Sequence, residues 1–267
     1  MNNKKFTILD FKRKKENGEK ITLLTAYDYP MAKIIDDAGI DAVMVGDSVG
    51  MVALGYDSTV GVTMEEMIHH AKAVRRGVSR AFLLGDMPFM SYQVSDEDAV
   101  RNAGRFMKEA GCNAVKIEGG REVLSRAVAI MNAGIPVLGH LGLTPQSVSK
   151  LGGYRVQAKD AASADRLAED AMSLEKAGCF AVVLECVPEE VARKITDMLE
   201  IPTIGIGAGR YCDGQALVTY DMVGYFDRFV PKFVKKYADI GNDIRKAAMA
   251  FKQETDKGDF PDKSHTY

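Results

Sequence analysis

The chain has 267 residues, with 35 Lys plus Arg against 37 Asp plus Glu and a formal net charge of −2. Hydrophobic residues make up 46% and charged residues 27%, a globular composition that excludes bulk disorder and excludes nucleic-acid binding through overall positive charge. No apolar run reaches the roughly 18 residues that a membrane span requires, so neither nucleic acid nor membrane is an expected partner.

In chain order, the basic start (Lys4, Lys5, then residues 12–15) lacks the apolar stretch of a signal peptide. The first twenty residues are expected to cap one end of the fold. Eight short apolar runs follow, at about 21–26, 42–46, 81–85, 114–118, 137–141, 181–185, 203–207 and 216–220. Helical patterns fall between most of them, at about 29–38, 64–77, 96–110, 121–133, 161–177 and 189–199, with a last one near 240–254. Thr63-x-x-Glu66 and Ser95-x-x-Asp98 read as capping boxes that open two of these helices.

One phrase recurs. Asp37-Ala-Gly-Ile-Asp-Ala-Val-Met-Val is echoed from Glu109, from Lys176 and, more loosely, from Asn132. Each copy reads as a helix end, a glycine that accepts positive φ, a turn and an apolar strand. Continuous apolar strands suit a parallel sheet covered on both faces. Eightfold strand–helix alternation therefore indicates an α/β fold, a single (βα)8 TIM barrel over residues 1–267 with an N-terminal cap (1–20) and a C-terminal tail (255–267). The gap between the seventh and eighth strands is too short for a full helix. A doubly wound open sheet is the structural alternative.

Groups at the C-terminal ends of barrel strands face one mouth. Asp47, Asp86 and Glu118 end three consecutive strands there. Adjacent strands lie about 4.8 Å apart, so the three acids repel unless protons or a cation neutralise them. Mg²⁺, a hard cation that takes oxygen ligands, fits such a set. The plainer reading is three helix caps or surface ion pairs. Glu185 ends the sixth strand away from that trio and is a candidate general base, or else a structural acid. Lys116 shares a strand face with Glu118. It reads as a cation for a substrate carboxylate, as an imine-forming lysine, or as half of a buried ion pair.

His140 follows Gly139 near the end of the fifth strand and either donates into the mouth or is structural. His69, His70 and His265 receive no ligand role. The glycine-rich stretch 49–62 is long for a strand-to-helix loop and reads as a lid, or as a packed surface loop. Gly205-Ile-Gly-Ala-Gly209 lacks the spacing of a dinucleotide fingerprint. Cys112, Cys179, Cys186 and Cys212 form no C-x-x-C pair and read as reduced thiols of a cytoplasmic protein.

Several longer phrases resemble the ketopantoate (3-methyl-2-oxobutanoate) hydroxymethyltransferase family. They include Leu24-Thr-Ala-Tyr-Asp28, Val45-Gly-Asp-Ser-Val-Gly-Met51, Leu54-Gly-Tyr-Asp-Ser-Thr59 and Gly85-Asp-Met-Pro-Phe89. Further along come Lys116-Ile-Glu-Gly-Gly120, His140-Leu-Gly-Leu-Thr-Pro-Gln146, Gly152-Gly-Tyr154, Ile201-Pro-Thr-Ile-Gly-Ile-Gly-Ala-Gly209 and Cys212-Asp-Gly-Gln215. The resemblance implies transfer of a hydroxymethyl group from 5,10-methylenetetrahydrofolate to 3-methyl-2-oxobutanoate through a Mg-stabilised enolate, in pantothenate and coenzyme A synthesis. It implies one Mg²⁺ per subunit at Asp47, Asp86 and Glu118, and substrate contacts at Asp47, Ser48, Asp86 and Lys116. It also implies a proton acceptor at Glu185 and a homodecamer built as a pentamer of dimers. Gly61, Ser149 and Ala158 depart from the family's frequent choices, away from these residues. A Mg²⁺-dependent lyase or phosphonate-forming mutase on a related barrel is the nearest rival, but its Lys-Lys-Cys-Gly-His type loop is missing here. A barrel that only binds an oxo acid or a folate is the non-enzyme alternative.

Overall fold

A computed structural model describes residues 4–267. Two compact units divide the chain, residues 1–217 and 218–267.

In the first unit the strands are β1 (Ile21–Thr25), β2 (Ala42–Val45), β3 (Phe82–Asp86), β4 (Ala114–Glu118), β5 (Val137–Gly142), β6 (Ala181–Glu185), β7 (Thr203–Ile206) and β8 (Gly214–Leu217). They pair in parallel and in chain order, and β8 returns to β1 to close a barrel. Closure rules out the open sheet. Helices Tyr29–Asp37, Met64–Gly77, Asp96–Ala110, Leu124–Asn132, Ala161–Ala177 and Glu189–Met198 alternate with the strands. The step from β7 to β8 has no helix, as the short gap requires.

The recurring phrase does what its glycine demands. Gly39, Gly111, Gly134 and Gly178 all take positive φ, between 66° and 109°, and each hands a helix over to a strand. Thr63 and Glu66 complete their capping box. Ser95 accepts the Asp98 N–H, but the carboxylate of Asp98 turns to Arg101 rather than back to the cap, so this end is half a box. The eighth strand begins earlier than its apolar run suggests, because exposed Gln215 interrupts the hydrophobic pattern. The helix read at 121–133 opens as a tight turn at Arg121–Val123.

The barrel interior is layered. At the N-terminal ends of the strands Ile21, Leu23, Ala42, Phe82, Leu84, Ala114 and Leu138 form an apolar cluster. Phe6 and Phe11, from the helix Ile8–Glu16 and its lead-in, complete this cluster. Phe11 meets Phe82 and Phe180 edge-on, with ring centroids 5.3 and 5.1 Å away. Lys14 and Lys15 pin the same helix to Asp41 and Asp213 at 2.7 and 3.0 Å. One mouth is thus sealed by hydrophobic packing, and the opposite end is left for polar groups.

Gly85, the residue before Asp86, lets β3 approach its covering helix. A Cβ there would lie 2.3 Å from Cδ1 of the fully buried Phe106. Gly85→Ala is therefore expected to lower unfolding free energy by about 1–3 kcal/mol in urea titration. Wild-type stability in that variant would show that Phe106 has room to yield.

The second unit holds a short helix, Thr219–Met222, and a long one, Ile240–Lys257. The long helix enters the segment expected to be tail, because nothing stops it before Gly258, at φ 75°. Edge-on ring pairs, Tyr220 with Tyr225 and Phe251 with Phe260, lie within this unit. No helix of the described residues is long and apolar enough to cross a membrane.

Candidate active site

Three consecutive strands deliver the acids. Asp86 and Glu118 are the last residues of β3 and β4, and Asp47 lies just beyond β2. All three are buried, and one carboxylate oxygen from each falls within 4.8 Å of the others. Register explains the meeting: Asp86 sits opposite Lys116, and Glu118 opposite His140. The i, i+2 spacing of Lys116 and Glu118 puts both on the inner face, where Lys116 Nζ lies 3.1 Å from Glu118 Oε1 and 2.6 Å from Asp86 Oδ1.

Among the described residues, protein donors occupy nearly every oxygen of the trio. Asp86 Oδ2 accepts the Asp47 N–H at 3.1 Å. Glu118 Oε2 accepts the Gln146 N–H at 3.1 Å, and Asp47 Oδ2 accepts Gln146 Nε2 at 3.0 Å. The buried Tyr92 hydroxyl accepts the Glu118 N–H at 3.0 Å and donates to Gln146 Oε1 at 2.8 Å. Gln146 closes the phrase that begins at His140, but no local pattern gives it or Tyr92 a role, since each comes from a loop without periodicity.

His140 bridges the trio to Glu185. Its Nδ1 is 3.3 Å from Glu118 Oε1 and its Nε2 is 3.2 Å from Glu185 Oε2. Both contacts lie in ion-pair range, but neither nitrogen meets hydrogen-bond alignment. Glu185 is held by its backbone: its carbonyl accepts the Leu143 N–H at 2.8 Å, and a Cβ on Gly142 (φ 92°) would strike that carbonyl at 2.3 Å. The next residue, Cys186, is held at φ 48° with its N–H on Ile206 O and its carbonyl on the Gln157 N–H.

The electrostatics follow from this crowding. Burial, then the neighbouring charges of Asp86 and Glu118, push Asp47 well above the ordinary carboxylate range. Burial also lifts Asp86, against the pull of Lys116. Burial would raise Glu118 too, but Lys116 and His140 outweigh it and hold that carboxyl at about 2. Burial works against charge on Lys116 and His140, yet the surrounding carboxylates keep Lys116 well above its usual value and raise His140 to about 9. A lysine held as an ammonium by two buried acids is a poor imine former, which needs the free amine. The ion-pair and carboxylate-binding readings of Lys116 are the ones this geometry favours.

The oxygen-only donor set fits a hard divalent cation such as Mg²⁺, which takes oxygen ligands and keeps some waters. Ser48 stands beside it, its Oγ 2.8 Å from the Tyr27 hydroxyl. The 49–62 stretch folds as a short helix, Val49–Val52, and a tight turn, Thr59–Gly61, and Tyr154 donates to Met51 Sδ at 3.6 Å. Cys112, Cys179 and Cys212 are buried, Cys186 is half-buried, and all four are free thiols.

Residues 5–263 match the sequence pattern of the ketopantoate hydroxymethyltransferases. The chain belongs to the ketopantoate hydroxymethyltransferase family. It is 56% identical over 264 residues to a 3-methyl-2-oxobutanoate hydroxymethyltransferase of Syntrophus aciditrophicus, covering 99% of this chain and 97% of that protein. A protein of the same name from Clostridium beijerinckii is 55% identical, covering 98% and 96%. This family member is accordingly a transferase. Among solved structures, a phosphoenolpyruvate phosphomutase of Streptomyces platensis aligns with a TM-score of 0.62 at 15% identity, covering 94% of this chain and 88% of that one. A phosphonopyruvate hydrolase in complex with oxalate and Mg²⁺ gives 0.61 at 12%, covering 97% and 92%. At those identities the likeness concerns the barrel alone.

Proposed function

We propose that the chain transfers a hydroxymethyl group from 5,10-methylenetetrahydrofolate to C3 of 3-methyl-2-oxobutanoate, giving 2-dehydropantoate and tetrahydrofolate on the route to pantothenate and coenzyme A. The observation that carries this reading is a buried oxygen-donor trio connected by one histidine to a separate carboxylate at the same mouth, in a chain more than half identical to proteins of that name.

Asp47, Asp86 and Glu118 would hold one Mg²⁺ per subunit. When bound, that cation supplies Lewis-acid polarisation of the 2-oxo group, which makes the C3–H bond more acidic. Glu185 takes the C3 proton. His140 lies between Glu185 and Glu118, and its cationic form balances the carboxylate on either side. Lys116 has three N–H donors and uses two on Asp86 and Glu118, so the third, with the Ser48 hydroxyl, anchors the substrate carboxylate. The new C3–C bond forms to the donor's methylene carbon, the two C–N bonds of that carbon break, and water supplies the hydroxyl oxygen. The same resemblance supports a cytoplasmic decamer built as a pentamer of dimers.

The purified chain, given both substrates, is expected to form 2-dehydropantoate by mass spectrometry. Activity should disappear after EDTA treatment and dialysis and return with added Mg²⁺. Full turnover by the metal-free protein would overturn the reading.

A further inference from the structure

We propose that Gln146 is a positioning residue of this site: it fastens one oxygen each of Asp47 and Glu118, so that Asp47 presents its undonated Oδ1 to a divalent cation held jointly with Asp86 and Glu118. The inference rests on the cation reading given above.

The side-chain amide can point only one way. Its Nε2 lies 2.9 Å from the carbonyl oxygen of Met87 and 3.0 Å from Asp47 Oδ2. A backbone carbonyl accepts and never donates, so the amide nitrogen must face it. On the other side the amide oxygen accepts from the Tyr92 hydroxyl at 2.8 Å and from Gln93 Nε2 at 3.4 Å. A flipped amide would set oxygen against oxygen at Met87. Oδ2 of Asp47 therefore always meets a donor.

The same residue holds a second acid with its backbone. Its N–H donates to Glu118 Oε2, while Lys116 and His140 face Oε1. Each oxygen of Asp86 accepts one donor, Lys116 or the Asp47 N–H, and keeps a second lone pair. Among the described residues no donor reaches Oδ1 of Asp47. Gln146 is itself 4% exposed, so water does not compete for these bonds. Groups that orient metal ligands typically change metal affinity by about 10–100-fold when removed.

The probe is Mn²⁺, followed by the EPR signal of the free ion and by the rise in Tm that it causes. Gln146→Met keeps the volume and removes the donor. It is expected to weaken Mn²⁺ binding by about 10–100-fold and to shrink the metal-induced rise in Tm. Gln146→Leu, a second way to remove the same donor, is expected to act in the same direction, and it decides the matter if Gln146→Met does not fold. A purely structural role would lower Tm equally with and without Mn²⁺ and leave the affinity alone, and that result overturns the proposal. Wild-type protein that binds no Mn²⁺ sinks the cation reading and the proposal together, whereas wild-type binding matched by the deciding variant sinks the proposal only.

Discussion

Glu185→Gln is expected to slow exchange of the C3 proton of 3-methyl-2-oxobutanoate by about 10²–10⁴-fold, the usual loss when a positioned general base is removed. The measurement is loss of the C3–H signal by NMR in D₂O, with Mg²⁺ present and no folate, which isolates the proton-transfer step. Metal binding should survive, because the Glu185 carboxylate touches His140 and none of the three acids at the other side of that ring. The backbone should also stay in place. It is fixed by the Leu143 N–H on the Glu185 carbonyl and by the Cys186 bonds to Ile206 and Gln157, none of which involves the side chain being changed. Glutamine can turn its oxygen toward His140 Nε2, so the ring keeps an acceptor and the contact with Glu118 is preserved. Exchange at the wild-type rate would take the proton-accepting role from Glu185. Loss of exchange together with loss of Mg²⁺ affinity would place Glu185 in metal binding instead.

Why some of this was readable from sequence and some was not comes down to how far each signal travels along the chain. Asp86 and Glu118 stand out because a strand buried on both faces is a continuous apolar run, and a carboxylate closes that run at the end of the strand. Spacing alone puts Lys116 on the same face as Glu118. That Lys116 also reaches Asp86 depends on the register Asp86 opposite Lys116, which no local pattern reveals. His140 illustrates the same limit: a lone histidine near a strand end gains its meaning only when Glu118 and Glu185 are found on either side of it. The roles of Gln146 and Tyr92 lie further out of reach, although Gln146 ends a phrase of the family resemblance. Gln146 sits in the tight turn Pro145–Ser147 after β5, and Tyr92 lies in the loop after β3. Their hydrogen bonds span 54 residues to each other, and 99 separate Gln146 from Asp47. The eighth strand starts ahead of its apolar run for the opposite reason: it carries an exposed polar residue, Gln215, inside its paired stretch.

Lys116→Met is expected to lower stability at neutral pH, in EDTA, by about 3–5 kcal/mol, the cost of removing one partner from a buried charge cluster. Lys116 is 3% exposed and is the ammonium that faces both Asp86 and Glu118. Without it, the three buried acids keep their mutual repulsion and lose their nearest attraction. The loss should depend on pH. Asp47 and Asp86 already lie above the ordinary carboxylate range in the folded chain, and removing a neighbouring cation moves them further up. A group that holds its proton more tightly in the folded state adds stability as pH falls through its folded value. Glu118 works the other way in the wild type, where its stabilising contribution is lost only as pH drops toward about 2. With Lys116 gone, Glu118 loses the largest of the attractions that hold it low and moves up, though His140 and the Gln146 N–H still hold it down. Urea titrations at pH 7.5 and pH 5.5 should therefore show a gap between variant and wild type that narrows at the lower pH. Saturating Mg²⁺ should narrow it too, since a cation at the trio supplies the charge that Met cannot. An equal gap under all three conditions would mean that Lys116 stabilises the barrel through packing of its stem, and that the acids are not the source of the strain.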